Sequence, residues 1–241
     1  MKSRRYSLLV VFALVVVSCA GGESSGSTTT DGSSAAGSET IIALGDSIFE
    51  YNSLQGDSIP EVIGRELGTP ILNAARSSAH FSNSDSTAAE GLDIRDQYQE
   101  GDWEWVVIVG GGNDYRDNCG CGECDTHIDE LISADGSSGE IPDFVRELLT
   151  GETQVMFVGY YEVPSDANFG FDLCGDEVME HNARLALMGE AIDGVWFVSA
   201  GDVVSADNRT AYAEDRVHPS VTGSRLVGEY IAAAIASIET N

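Results

Sequence analysis

The sequence predicts an α/β protein: a three-layer α/β/α sandwich around a mostly parallel sheet of about five strands. Three features carry that expectation. Four short apolar runs recur, at residues 41–44, 106–109, 155–158 and 195–198, and they are continuous rather than alternating, as strands covered on both faces are. Helix-like stretches separate them, the order expected of a sandwich. The 241 residues are 42% hydrophobic, enough for a packed core in one domain of about 200 residues.

The elements follow in order. Residues 41–44 form the first strand, and the pair Ile71-Leu72 is a fifth, shorter one. Helices are expected at 60–67, 125–132, 142–149 and 177–192. The last segment is the clearest helix. Pro219 sits near its start, and Leu226, Val227, Tyr230, Ile231, Ala234, Ile235 and Ile238 fall on one face. In open sheets of this kind the working residues gather at the carboxyl ends of the strands. Three polar clusters map there: Gly45-Asp46-Ser47-Ile48 after the first strand, Gly110-Gly111-Gly112-Asn113-Asp114 after the third, and Asp215-Arg216-Val217-His218-Pro219 before the last helix.

Charge narrows the possible functions. Twelve Lys and Arg face 40 Asp and Glu, a net of -28. Lys2, Arg4 and Arg5 lie in the first five residues, so the rest of the chain sets nine Arg against 40 acids, a net of -31. So acidic a surface repels phosphate backbones and anionic lipid heads, and excludes nucleic-acid binding. Residues 1–7 are basic and residues 8–17 are ten apolar positions, too few to span a bilayer and suited to a signal peptide. Val16-Val17-Ser18-Cys19 resembles the bacterial lipoprotein cleavage box. That resemblance implies a signal peptide at 1–18, a lipidated Cys19, and a protein held in the cell envelope on the periplasmic or cell-surface side. An ordinary secretory signal cut further on is the alternative. Residues 20–39 hold 17 Gly, Ser, Thr or Ala in 20 positions, a leash spanning roughly 25 Å as a random coil. The folded domain is then residues 40–241, and a monomer is expected.

The three clusters, in this order at these strand ends, resemble the SGNH, or GDSL, family of serine hydrolases. The resemblance covers essentially all of residues 40–241 and implies a flavodoxin-like sandwich acting as an esterase, lipase, lysophospholipase or carbohydrate acetylesterase. It implies Ser47 as nucleophile, Asn113 as oxyanion-hole side chain, and Asp215 and His218 as acid and base. The residue types fit that chemistry. A serine hydroxyl needs an imidazole to take its proton, and the imidazole needs a carboxylate to fix its tautomer. Acyl transfer also needs donors aimed at the developing oxyanion; the Ser47 N–H and the Asn113 amide are two. The family's second block usually reads N-x-G-x-x-G and supplies a third N–H from its last Gly. Here it reads Asn73-Ala74-Ala75-Arg76-Ser77-Ser78, so Ser78 stands in that place. The exchange keeps the N–H unless the position needs a positive φ. An α/β-hydrolase elbow would need Gly-x-Ser-x-Gly, and Phe49 occupies its last position.

His80, His127 and His181 are expected to be surface or locally hydrogen-bonded histidines, with only His80 near the substrate. The pairs Tyr51-Asn52 and Tyr160-Tyr161 are expected to be core packing, and Asp46 and Asp215 to be the only acids near the chemistry. Besides Cys19 there are Cys119, Cys121, Cys124 and Cys174. An even number in an exported domain points to two disulfides. Either Cys119–Cys174 with Cys121–Cys124, or Cys121–Cys174 with Cys119–Cys124, fits. A Cys₄ zinc site is the rival, set aside because exported thiols oxidise. No segment has calcium-loop spacing, so neither metal nor cofactor is expected. The leading function is serine-dependent hydrolysis of a small carboxylic ester: lipid, sugar ester or short-chain ester. Two others stand beside it: acyl transfer or deacetylation on cell-envelope glycans, and a non-catalytic ligand-binding surface lipoprotein on the same scaffold.

Overall fold

A computed structural model of the chain describes residues 39–82 and 89–240; the signal peptide, Cys19 and the leash up to residue 38 lie outside the described residues. Five strands form one sheet: β1 Ile41–Leu44, β2 Ile71–Asn73, β3 Trp105–Ile108, β4 Gln154–Gly159 and β5 Val195–Ser199. Their order is β2-β1-β3-β4-β5 and every neighbouring pair is parallel, the flavodoxin-like arrangement. Every residue of β1 and β3 is buried, which is why these strands read as unbroken apolar runs.

Alternate strand residues serve opposite layers, as the period of two requires. Ile42, Val106, Val155 and Phe157 face one core with Leu131, Phe144, Leu148 and Leu185. Ile41, Val107, Met156 and Val158 face the other with Ile59, Ile63, Val227, Ile231 and Ile235. Helices α1 Ser47–Glu50, α2 Ile59–Leu67, α3 Gly112–Cys119, α4 Asp125–Leu131, α5 Glu140–Leu148, α6 Gly175–Ala191 and α7 Val221–Glu239 supply these layers and the site. Four of them start within two residues of the expected positions, and α7 starts two residues after Pro219. α2 begins at Ser58, whose N–H donates to Glu61 at 2.9 Å, and ends at Gly68 with φ 68°, as helix boundary chemistry predicts. α2 and α7 pack closely because Gly228 has no side chain; a Cβ there would sit 2.5 Å from Val62.

Two helices, α1 and α3, stand at polar clusters where the sequence marked no helix. Four residues, or eight rich in Gly, Asn and Asp, carry no helical apolar period; both form because a strand end hands the chain directly into them. The chain enters the sheet at its amino edge, where the Thr40 carbonyl accepts from the Glu104 and Trp105 N–H groups. Among the described residues no helix is long and apolar enough to cross a membrane.

The cysteines pair as Cys119–Cys124 and Cys121–Cys174, one of the two connectivities left open by sequence, and not as a zinc site. Cys121–Cys174 joins the turn after α3 to the residue that caps α6 across 53 positions. Closing a loop of that length removes about 4 kcal/mol of unfolded-chain entropy. Replacing both cysteines by serine is therefore expected to lower the melting temperature by on the order of 10 °C, read by circular dichroism. An unchanged melt would mean the bridge adds nothing to stability.

Candidate active site

The three clusters converge at the carboxyl edge of the sheet. Behind β1, Asp46 is buried and caps α1, its Oδ1 accepting from the Ile48 N–H at 2.9 Å. Ser47 is thus the first residue of a helix, with its hydroxyl free of the capping role. The strand end before it is gripped by buried Gln97, which accepts from the Gly45 N–H at 2.7 Å and donates to the Gly45 carbonyl at 2.8 Å.

Behind β3, Gly111 turns the chain at φ 111° into α3. No other residue fits there, since a Cβ would meet the His181 ring at 2.7 Å. His181 is fully buried, and burial pushes its pKa down to about 4. It is therefore neutral at pH 7. Its Nε2 donates to the Gly110 carbonyl at 3.0 Å, so Nδ1 accepts from the Tyr115 hydroxyl at 2.7 Å. Asn113 follows on α3 and spends one amide N–H on the Ala79 carbonyl at 3.0 Å; its second N–H remains available. Asp114 is fully buried and accepts from the Phe81 and Ser82 N–H groups. Burial pushes its carboxyl up to about 7 against the pull of those bonds.

Asn113 is thereby tied to the second block. Asn73 donates to the Phe49 carbonyl at 3.1 Å and accepts from the Ala75 N–H. The Arg76 N–H donates to the Gly45 carbonyl, and the Ser77 N–H to Glu50 at 2.7 Å. Between these ties Ser78 takes φ 62°. The position thus does adopt the left-handed backbone that favours glycine, and a serine there is strained by roughly 1–2 kcal/mol. Its N–H survives and makes no hydrogen bond among the described residues.

The last cluster pairs a carboxylate with an imidazole. Asp215 Oδ2 accepts from His218 Nδ1 at 2.8 Å, and its Oδ1 accepts from the Val217 and His218 N–H groups, each at 2.9 Å. Burial raises the Asp215 carboxyl, but the His218 ring and the two backbone donors outweigh it, and the pKa falls below the usual carboxylate value. The imidazole is held between aromatic rings: Tyr51 stacks on it at 4.6 Å, nearly parallel, and Phe169 meets it edge-on at 6.3 Å. His218 Nε2 and Ser47 Oγ share no hydrogen bond, a common state before substrate tightens such contacts. Ser47, Asn113 and Val217 line one cavity; Ser78 lies outside that lining.

The tyrosine and Tyr51-Asn52 pairs are more than packing, which corrects the expectation from sequence. The buried Tyr160 hydroxyl donates to Asp46 Oδ2 at 2.5 Å and accepts from the Gly112 N–H at 3.0 Å. It bridges the residue that caps α1 to the helix bearing Asn113. Its neighbour Tyr161 donates to the Val217 carbonyl at 2.9 Å, and Asn52 donates to the Pro219 carbonyl at 3.0 Å. Acids beyond Asp46 and Asp215 also come near, since Asp114 adjoins Asn113 and Glu162 lines the cavity. His80 is buried and pairs with Asp117 at 2.9 Å, away from the cavity lining, while His127 pairs with Glu130 at 3.4 Å. Among the described residues no group of three His, Cys, Asp or Glu side chains is arranged to hold a metal ion.

Replacing Tyr160 by phenylalanine would strand a buried carboxylate oxygen and a buried N–H, at about 1–3 kcal/mol each. The expected result is a loss of on the order of 3 kcal/mol in urea denaturation. An unshifted midpoint would mean that the bridge carries no weight.

Known structures share this framework. An inhibitor-bound aryl esterase of M. smegmatis superposes with a TM-score of 0.57 at 14% identity, over 83% of this chain and 99% of that one. A carbohydrate acetylesterase family member from Sinorhizobium meliloti gives 0.56 at 16% identity, over 83% and 98%. At such identities the likeness is one of fold. No curated protein sequence matches the chain. The model of the GDSL-like lipase/acylhydrolase family, however, matches residues 43–226, a span that holds Ser47, Asn113, Asp215 and His218, and the chain belongs to that family of hydrolases.

Proposed function

We propose that the chain hydrolyses carboxylic esters through an acyl-enzyme on Ser47. The observation that carries this reading is the 2.8 Å Asp215–His218 pair beside the cavity lined by Ser47 and Asn113. Asp215 accepts the Nδ1 proton and so leaves Nε2 as the basic nitrogen. Nε2 takes the Ser47 proton as Oγ attacks the ester carbonyl. The oxyanion is received by the Ser47 N–H, the second Asn113 N–H and the Ser78 N–H. The protonated imidazole then gives its proton to the departing alcohol. A water, deprotonated by the same nitrogen, releases the acid and restores Ser47.

The reading also takes the protein to work outside the cytoplasmic membrane, anchored through Cys19. Two disulfides support an oxidising compartment. Mass spectrometry of the N-terminal peptide tests the anchor; a non-acylated start elsewhere rules it out. A fluorophosphonate probe tests the chemistry. It is expected to label the intact protein at Ser47, and absence of labelling would leave a non-catalytic scaffold.

A further inference from the structure

The cavity beside Ser47 has a direction, and that direction separates the two halves of an ester. Ser47, Gly112 and Asn113 line it on the oxyanion side. His218 does not line it, although its neighbour Val217 does. The alcohol must depart towards His218 Nε2, the group that protonates it. The substituent on the other side of the carbonyl carbon, the acyl group, therefore points into the cavity.

Its walls say what that group can be. Ile48, Val163, Phe171 and Val178 are apolar, the acids in the lining are Asp46 and Glu162, and no Lys or Arg lines it. A carboxylate-bearing acyl group would meet the buried Asp46 and the exposed Glu162 with no cation in the lining to pair with it. The cavity is small, with a volume of about 40 Å³. One wall cannot yield easily: Cys174 lines the cavity, caps α6 and is bonded to Cys121.

We propose that this cavity is the acyl site and that it selects short, uncharged acyl groups, while the alcohol lies over the open side at His218 and is loosely specified. The inference rests on the hydrolase reading above.

Steady-state kinetics on two ester series tests it. With 4-nitrophenol as the constant leaving group, acetate, butanoate, octanoate and hemisuccinate are compared. With acetyl constant, the phenyl, 1-naphthyl and glyceryl esters are compared. The expected kcat/KM for octanoate and hemisuccinate is on the order of 10²-fold below butanoate, with a much smaller spread across the alcohols. Val178→Phe should depress butanoate more than acetate. Val178→Ala should move the optimum to longer chains, and serves if the phenylalanine variant does not fold. Octanoate turned over as fast as acetate, or chain-length profiles unchanged in both folded variants, would overturn the acyl assignment. Failure of the unaltered protein to react with acetate or fluorophosphonate would instead overturn the hydrolase reading itself.

Discussion

Replacing Ser47 by alanine is expected to cut turnover of an activated ester by about 10⁵-fold while leaving the fold intact. Both halves follow from the geometry. In the proposed mechanism the hydroxyl attacks, and no other Ser, Thr or Cys lines the cavity except Cys174, which is held in a disulfide. The cap of α1 is the Asp46 carboxylate, so the helix does not depend on Ser47 Oγ. The Ser47 hydroxyl makes no hydrogen bond among the described residues, so its loss should change stability by no more than about 0.5 kcal/mol. Hydrolysis of 4-nitrophenyl acetate beside a thermal melt reads both. Activity within tenfold of the parent would remove Ser47 from the mechanism.

Replacing Asp215 by asparagine is expected to lower kcat by about 10⁴-fold, for a reason peculiar to this loop. Two backbone N–H groups hold Oδ1. An asparagine would keep its carbonyl oxygen on those donors and turn its NH₂ towards His218 Nδ1. Nδ1 would then have to accept, the proton would move to Nε2, and the imidazole could no longer take a proton from Ser47. KM should change little, and an unchanged kcat would defeat the assignment. A stability signature accompanies it. The folded pKa of Asp215 lies below its ordinary value of 3.8, so its stabilisation is complete above that pH and fades as pH falls through the folded value. The melting-temperature gap between parent and variant should therefore narrow in acid.

What the sequence disclosed and what it hid divide by range. Strands β1, β3 and β4 were legible because burial on both faces leaves an unbroken apolar run; β5, at the sheet edge with Trp196 exposed, was legible from its apolar residues alone. The final helix was legible because its single core-facing stripe runs from Leu226 to Ile238. Ser47, Asn113, Asp215 and His218 were legible as motifs at strand ends. The props beneath them were not. Gln97 holds Gly45 from 52 positions away, and Tyr160 reaches Asp46 across 114. No local period marks a glutamine or tyrosine for such a task. Ser78 is intermediate: its replacement of glycine was visible, but the φ of 62° it must adopt is set by neighbours on α1 and α3. Disulfide connectivity stood open between two pairings and was decided only when the turn after α3 met the start of α6.

The chain enters β1 beside Thr40, at the edge of the sheet opposite the one where Ser47 follows the strand. A tag or support fused ahead of residue 39 is therefore joined to the domain at the edge remote from the cavity lined by Ser47 and Asn113, and leaves its opening clear.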